Sequence, residues 1–190
     1  LQFLGVQDGK TIWEHPWPIE NYRAIQPLVV GNSILIGASM GSGTRKISVD
    51  RSEDQWSITE DWTSQEMKPE FNDYVVYEGN VYGFDGNILA CIDLESGQRQ
   101  WKRGRYGNGQ LLLLGESGQL LVSSEKGEIV LVSPQPDKFV EIAKFPAIEG
   151  KTWNHPVLVG NRFYMRNGQE VACFELATTD PANPSSAAGL

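Results

Sequence analysis

The residues of this chain that offer chemistry are two histidines, two cysteines and a scatter of carboxylates. His155 ends the run Glu149-Gly150-Lys151-Thr152-Trp153-Asn154-His155 and stands just ahead of the apolar segment Val157-Leu158-Val159. An imidazole is the side chain that ordinarily changes charge near neutral pH. Polar residues stand at the matching place ahead of similar apolar segments: Gln26, Asn72 with Asp73, and Gln110. Arg23, Arg105, Trp153 and Asn154 lie in the same connections. These nine residues are the candidate ligand site. There amides would clamp carbonyls and arginines would hold a carboxylate. His15, after Trp13-Glu14, reads as a surface residue.

The other reactive groups point to no catalyst. Cys91 and Cys173 each follow an alanine and each lie five residues past a glycine, Gly86 and Gly168. Matching places in two repeats are too far apart to bond, so both read as small buried thiols. Asp8, Asp50, Asp85, Asp93, Glu95, Glu125 and Glu128 fall in turns and read as solvated turn chemistry. Asp85-Gly86-Asn87 and Arg166-Asn167-Gly168 read as type I′ hairpin turns. No calcium loop, zinc set, phosphate loop, nucleophile elbow or triad spacing is present. No catalytic residue and no metal ligand is therefore assigned.

Elements must position these groups, and composition narrows which. The chain has 190 residues, 24 acidic against 16 basic, for a net charge of −8. That balance argues against general nucleic-acid binding, which needs a basic surface. A hydrophobic fraction of 40% suits a globular protein. No apolar run approaches the ~20 residues of a membrane-spanning helix. Two cysteines cannot make a disulfide scaffold.

The ordering signal is a repeat. An apolar run, a glycine turn and a second apolar run recur from Leu28, Val75, Leu112 and Val157. A further glycine follows each copy, at Gly43, Gly86, Gly127 and Gly168, at intervals of 43, 41 and 41 residues. Each period holds four short β-type segments and no helical apolar face. Four strands in ~40–50 residues, repeated, predict β-propeller blades. The N-terminus would supply the third and fourth strands of a blade (Leu1 to Val6, Thr11 to His15). Whole blades would follow over Gln26–Thr63, Asp73–Arg103 and Gln110–Phe145, then three strands from Pro156 to Leu176. Closing these into one ring leaves a surplus third strand. The expectation is therefore a partial, all-β propeller of three whole and two incomplete blades over 1–176, the C-terminal part of a larger ring. Residues 177–190 read as a disordered tail. An open blade set is expected to self-associate.

Asp93-Leu94-Glu95-Ser96-Gly97-Gln98-Arg99-Gln100-Trp101 resembles the D-x-x-T-G-x-x-x-W motif of the pyrroloquinoline-quinone (PQQ) repeat family, with Ser for Thr. Gly9 and Trp13 keep the same spacing; Trp56 has Ser52, and Phe139 has Gln135, where the glycine belongs. The resemblance implies seven- or eight-bladed PQQ-like relatives. It also implies blade-docking roles for Trp13, Trp56, Gly97, Trp101 and Phe139. The superfamily includes quinoprotein alcohol dehydrogenases and the propeller lipoprotein of outer-membrane assembly, so it implies a periplasmic or envelope setting. The first functional expectation is a non-catalytic scaffold that binds a protein or small polar ligand at the propeller face. The alternative is the C-terminal part of a PQQ-dependent dehydrogenase, with PQQ and Ca²⁺ held by upstream residues. A third is a sugar- or polymer-binding propeller using Trp17, Trp62 and Tyr106 as exposed aromatics.

Overall fold

A computed structural model describes residues 1–19, 22, 24–38, 41–115 and 117–176. The described residues form seventeen strands and no helix. β1 (Gln2–Leu4) and β2 (Thr11–Glu14) make a two-stranded sheet. β3 (Leu28–Val30), β4 (Ser33–Ala38), β5 (Gly43–Ser52) and β6 (Gln55–Ser64) make a four-stranded meander. So do β7 (Val75–Tyr77), β8 (Asn80–Asp85), β9 (Ile88–Asp93) and β10 (Arg99–Arg105). A third meander holds β11 (Gln110–Leu114), β12 (Gln119–Ser123), β13 (Glu128–Ser133) and β14 (Val140–Pro146). β15 (Val157–Val159), β16 (Arg162–Arg166) and β17 (Val171–Glu175) form a three-stranded sheet. Every pairing is antiparallel and follows chain order. This is a β-propeller whose five sheets do not close into a ring.

The core lies between sheets. The middle strands carry apolar residues on both faces, and β8 is buried along its whole length. One cluster joins Tyr82, Cys91 and Trp101 to Leu111, Leu120, Val122 and Val130 of the next sheet. Another joins Leu35 and Trp62 to Val81, Ala90 and Ile92, and a third joins Leu121 and Ile129 to Phe163 and Met165. Each of the three four-stranded sheets thus buries one face against its predecessor and one against its successor. Apolar burial of this kind is the main favourable term for a stack of small sheets. The outer strand β14 is exposed nearly throughout.

Two hairpin readings need correction. In the β8–β9 turn only Gly86 has positive φ, so the turn is not type I′. Neither Asn167 nor Gly168 has positive φ. There the Asn167 side chain accepts the N–H groups of Gln169 and Glu170 and donates to the carbonyl of Glu149. The turns with two left-handed residues are Glu53-Asp54 (φ 48° and 70°) and Glu78-Gly79 (φ 46° and 75°). The expected tail at 177–190 lies outside the described residues.

Candidate functional site

Three connectors meet where the innermost strands begin: β6 to β7, β10 to β11 and β14 to β15. Asn72 is fully buried and its Nδ2 donates to the Gly109 carbonyl at 2.5 Å. Gln110 is 4% exposed, and its Nε2 points at the carbonyls of Phe71 and Trp153, 3.4 Å from each. The rings of Phe71 and Trp153 also meet, 5.1 Å between centroids. Gly109 permits this convergence, because a Cβ there would sit 2.5 Å from the Ser123 carbonyl. His155 Nδ1 lies 2.9 Å from the Pro156 carbonyl, an acceptor, so that nitrogen carries the proton. Its Nε2 faces Asp73 Oδ2 at 3.7 Å. Protonation of Nε2 would turn that contact into an ion pair.

The structure therefore brings Asn72, Asp73, Gln110, Trp153 and His155 together, with Asn154 between the last two in the chain. It adds residues that the sequence pattern missed. Glu125, in the β12–β13 turn, accepts Trp153 Nε1 on Oε1 (2.8 Å) and the Asn108 N–H on Oε2 (3.1 Å). The ammonium of Lys151 stands 3.3 Å from the Trp153 ring centroid. The sequence pattern had Glu125 only as a solvated turn carboxylate, because its turn belongs to a different hairpin from the connectors; here it is bonded to two of them. Two candidates fall elsewhere. Arg105 pairs with Ile88 at the end of the outermost strand β10, so it stands on the outer rim. Gln26 is exposed ahead of β3, and among the described residues no hydrogen bond ties it to this cluster. Arg23 lies outside the described residues.

The seams have their own logic. Tyr82, Cys91 and Trp101 form one cross-strand row, and Trp101 Nε1 donates to the Gln135 carbonyl of the next sheet at 2.7 Å. The same row in the preceding sheet is Leu35, Lys46 and Trp62, with Trp62 Nε1 donating to the Leu94 carbonyl at 3.1 Å. Trp62, not Trp56, therefore fills the docking place of that sheet. Trp56 and Phe139 sit on the receiving side of their seams, against Phe3 (5.7 Å) and Trp101 (5.5 Å). Trp13 is buried and stacks on Phe3. Gly97 has φ +68°, and a Cβ on it would lie 2.8 Å from the Trp62 ring. Its glycine serves the turn and the seam at once.

The family of outer membrane protein assembly factor BamB, a PQQ-repeat family, matches residues 1–142. The chain belongs to the BamB family. Its fold is similar to a crystal structure of BamB from Moraxella catarrhalis (TM-score 0.50, 14% identity), with 90% of this chain and 64% of that chain covered. The chain thus spans less than two thirds of that BamB. A computationally designed protein, Ika4, is also similar (TM-score 0.58, 9% identity, 84% of this chain and 94% of that chain). No curated protein matches the chain.

In this BamB-family propeller several further expectations change. Trp17 and Tyr106 are buried and Trp62 is half-buried in a seam, so they offer no exposed aromatic track. Cys173 is exposed, whereas Cys91 is buried and its thiol is pushed up to about 12 by desolvation. His15 stands 3.1 Å from the Arg45 guanidinium. Asp85 is not solvated. It is buried among Lys68 (3.1 Å), Arg99 (2.7 Å) and Lys102 (2.7 Å). Burial alone would raise its carboxyl, but the ammonium groups of Lys102 and Lys68 hold it below the usual range. Among the described residues no group of three His, Cys, Asp or Glu side chains could hold a metal ion.

Proposed function

We propose that the chain is a non-catalytic binding module of the bacterial envelope, and that it docks a protein partner at the channel mouth. The reading rests on one observation above all: connectors from three successive blades converge on the buried Gln110 amide. Membership of the BamB family favours an envelope setting and a role in protein assembly. The exposed Trp153 at the centre of that convergence is 39% accessible, and an accessible indole in a polar rim is a common anchor for a partner. His155, Asp73 and Glu125 supply polar groups around it.

The test is assembly itself. The protein is expressed in a bacterium that lacks its own BamB, and outer-membrane protein levels are measured. The unmodified protein should restore them. Trp153→Ala combined with His155→Ala should cut restoration while leaving the thermal midpoint within a few degrees, since both side chains are exposed. Failure of the unmodified protein to restore them, or undiminished restoration by the pair, overturns the reading.

A further inference from the structure

We infer that the channel mouth takes a cationic side chain, lysine or arginine, from a basic segment of its protein partner; this rests on the mouth being the docking surface. Buried oxygens lack partners there. Gln110 Oε1, Asn108 Oδ1 and Ser123 Oγ are buried and make no hydrogen bond. Gln110 and Ser123 are cross-strand partners, and Asn108 is held against Glu125 through its backbone N–H. Each buried polar atom left unpaired costs about 1–3 kcal/mol, so such atoms call for a partner. The Gln110 amide spends its Nε2 on the backbone carbonyls of Phe71 and Trp153, which leaves Oε1 over.

Charge and ring chemistry choose the ligand. Asp73 and Glu125 place two carboxylates at the mouth. Each oxygen of Glu125 receives a single N–H, which leaves acceptor capacity on both. The Trp153 indole already carries the Lys151 ammonium, so this ring accepts an organic cation. Lys151 is exposed at the end of a long, flexible side chain and can be displaced. The net charge of −8 favours approach of a basic partner. An indole face beside a carboxylate suits a planar guanidinium or an ammonium better than a bare metal ion.

The experiment follows the Trp153 indole N–H by NMR in the whole protein, assigned through Trp153→Phe. The probes are the peptide acetyl-Gly-Arg-Gly-amide, the same peptide with neutral citrulline for arginine, and calcium chloride alone. The arginine peptide should shift the signal saturably, and the citrulline peptide should bind about tenfold more weakly or worse. Glu125→Gln should weaken arginine binding. Lys151→Met should strengthen it by more than Lys126→Met, an exposed lysine near the same turn. Equal response to citrulline, a response to calcium but not to arginine, or no response at millimolar peptide overturns the inference. If the mouth variants lose assembly function while the arginine peptide fails to bind, the docking reading stands and this inference alone falls.

Discussion

At the scale of single residues, two kinds of side chain carry the account: indoles at seams and ionised groups at turns. Trp62 packs on the backbone at Gly97 and donates across the seam, whereas Trp56 lies near the tip of its hairpin beside Arg51 (5.3 Å). Trp62→Ala should therefore cost about 2–4 kcal/mol in chemical denaturation, and Trp56→Ala on the order of 1 kcal/mol. A reversed order would show that the seam is misassigned. The acidic groups make a second prediction. Asp93 Oδ1 accepts the Ser96 hydroxyl and N–H, both at 2.7 Å, and these bonds hold its carboxyl below the usual range. Asp85 is lowered too, as its ammonium partners outweigh burial. A carboxyl lowered by folding adds stability that is complete above its unfolded value, near 4, and is lost as pH falls through its lower folded value. Thermal midpoints should accordingly fall below about pH 4, and Asp85→Asn with Asp93→Asn should flatten that acid limb while lowering stability at neutral pH. An acid limb unchanged by the two substitutions would contradict these roles.

At the scale of elements, the repeat was legible and its irregularities were not. Glycine spacing and alternating apolar runs located the sheets because strands and turns are set by local chemistry. The D-x-x-S-G-x-x-x-W pattern worked where the hairpin is short, over Asp93–Trp101. It failed over β5 and β6, which are ten residues each and carry a register shift between Lys46 and Ile47. That longer hairpin moves the seam indole six residues past Trp56, so a fixed spacing points at the wrong tryptophan. The tip of the same hairpin holds Glu53 and Asp54, both left-handed, where Asn and Gly are the favoured types. Glu53→Asn with Asp54→Gly should raise stability by about 0.5–1 kcal/mol in urea titration. A loss of stability would mean that the acidic side chains contribute more than the turn strain they impose. The mouth was half legible. Polar residues ahead of inner strands were visible as a pattern, and five of the nine are brought into contact. Glu125 was hidden because it reaches the site from a turn of another hairpin, and a contact across the fold leaves no local trace. Asp85 misled for a related reason: a turn aspartate is usually solvated, but this one is enclosed by cations from two other segments.

At the scale of the whole molecule, the open stack leaves a docking row uncovered. Tyr164 and Cys173 occupy the places of Tyr82 and Cys91, yet Cys173 is exposed and its neighbour Val171 is 71% exposed. At the other end Phe3 and Trp13 occupy the places of Cys91 and Trp101, so both β1 and β17 are third strands and cannot share one four-stranded blade. This face, with Val157 also 53% exposed, should drive association as protein concentration rises. Val171→Lys with Val157→Lys should lower the weight-average mass seen by analytical ultracentrifugation, with no change in far-UV circular dichroism. Unaltered association would place the sticky surface elsewhere.

The central claim is that successive blades build a single site from connectors distant in sequence. The most direct measurement is a nuclear Overhauser spectrum of the ring protons of Trp153. With centroids 5.1 Å apart, strong cross-peaks to the ring of Phe71 are expected. Cross-peaks confined to residues 151–156 would show that the connectors do not meet.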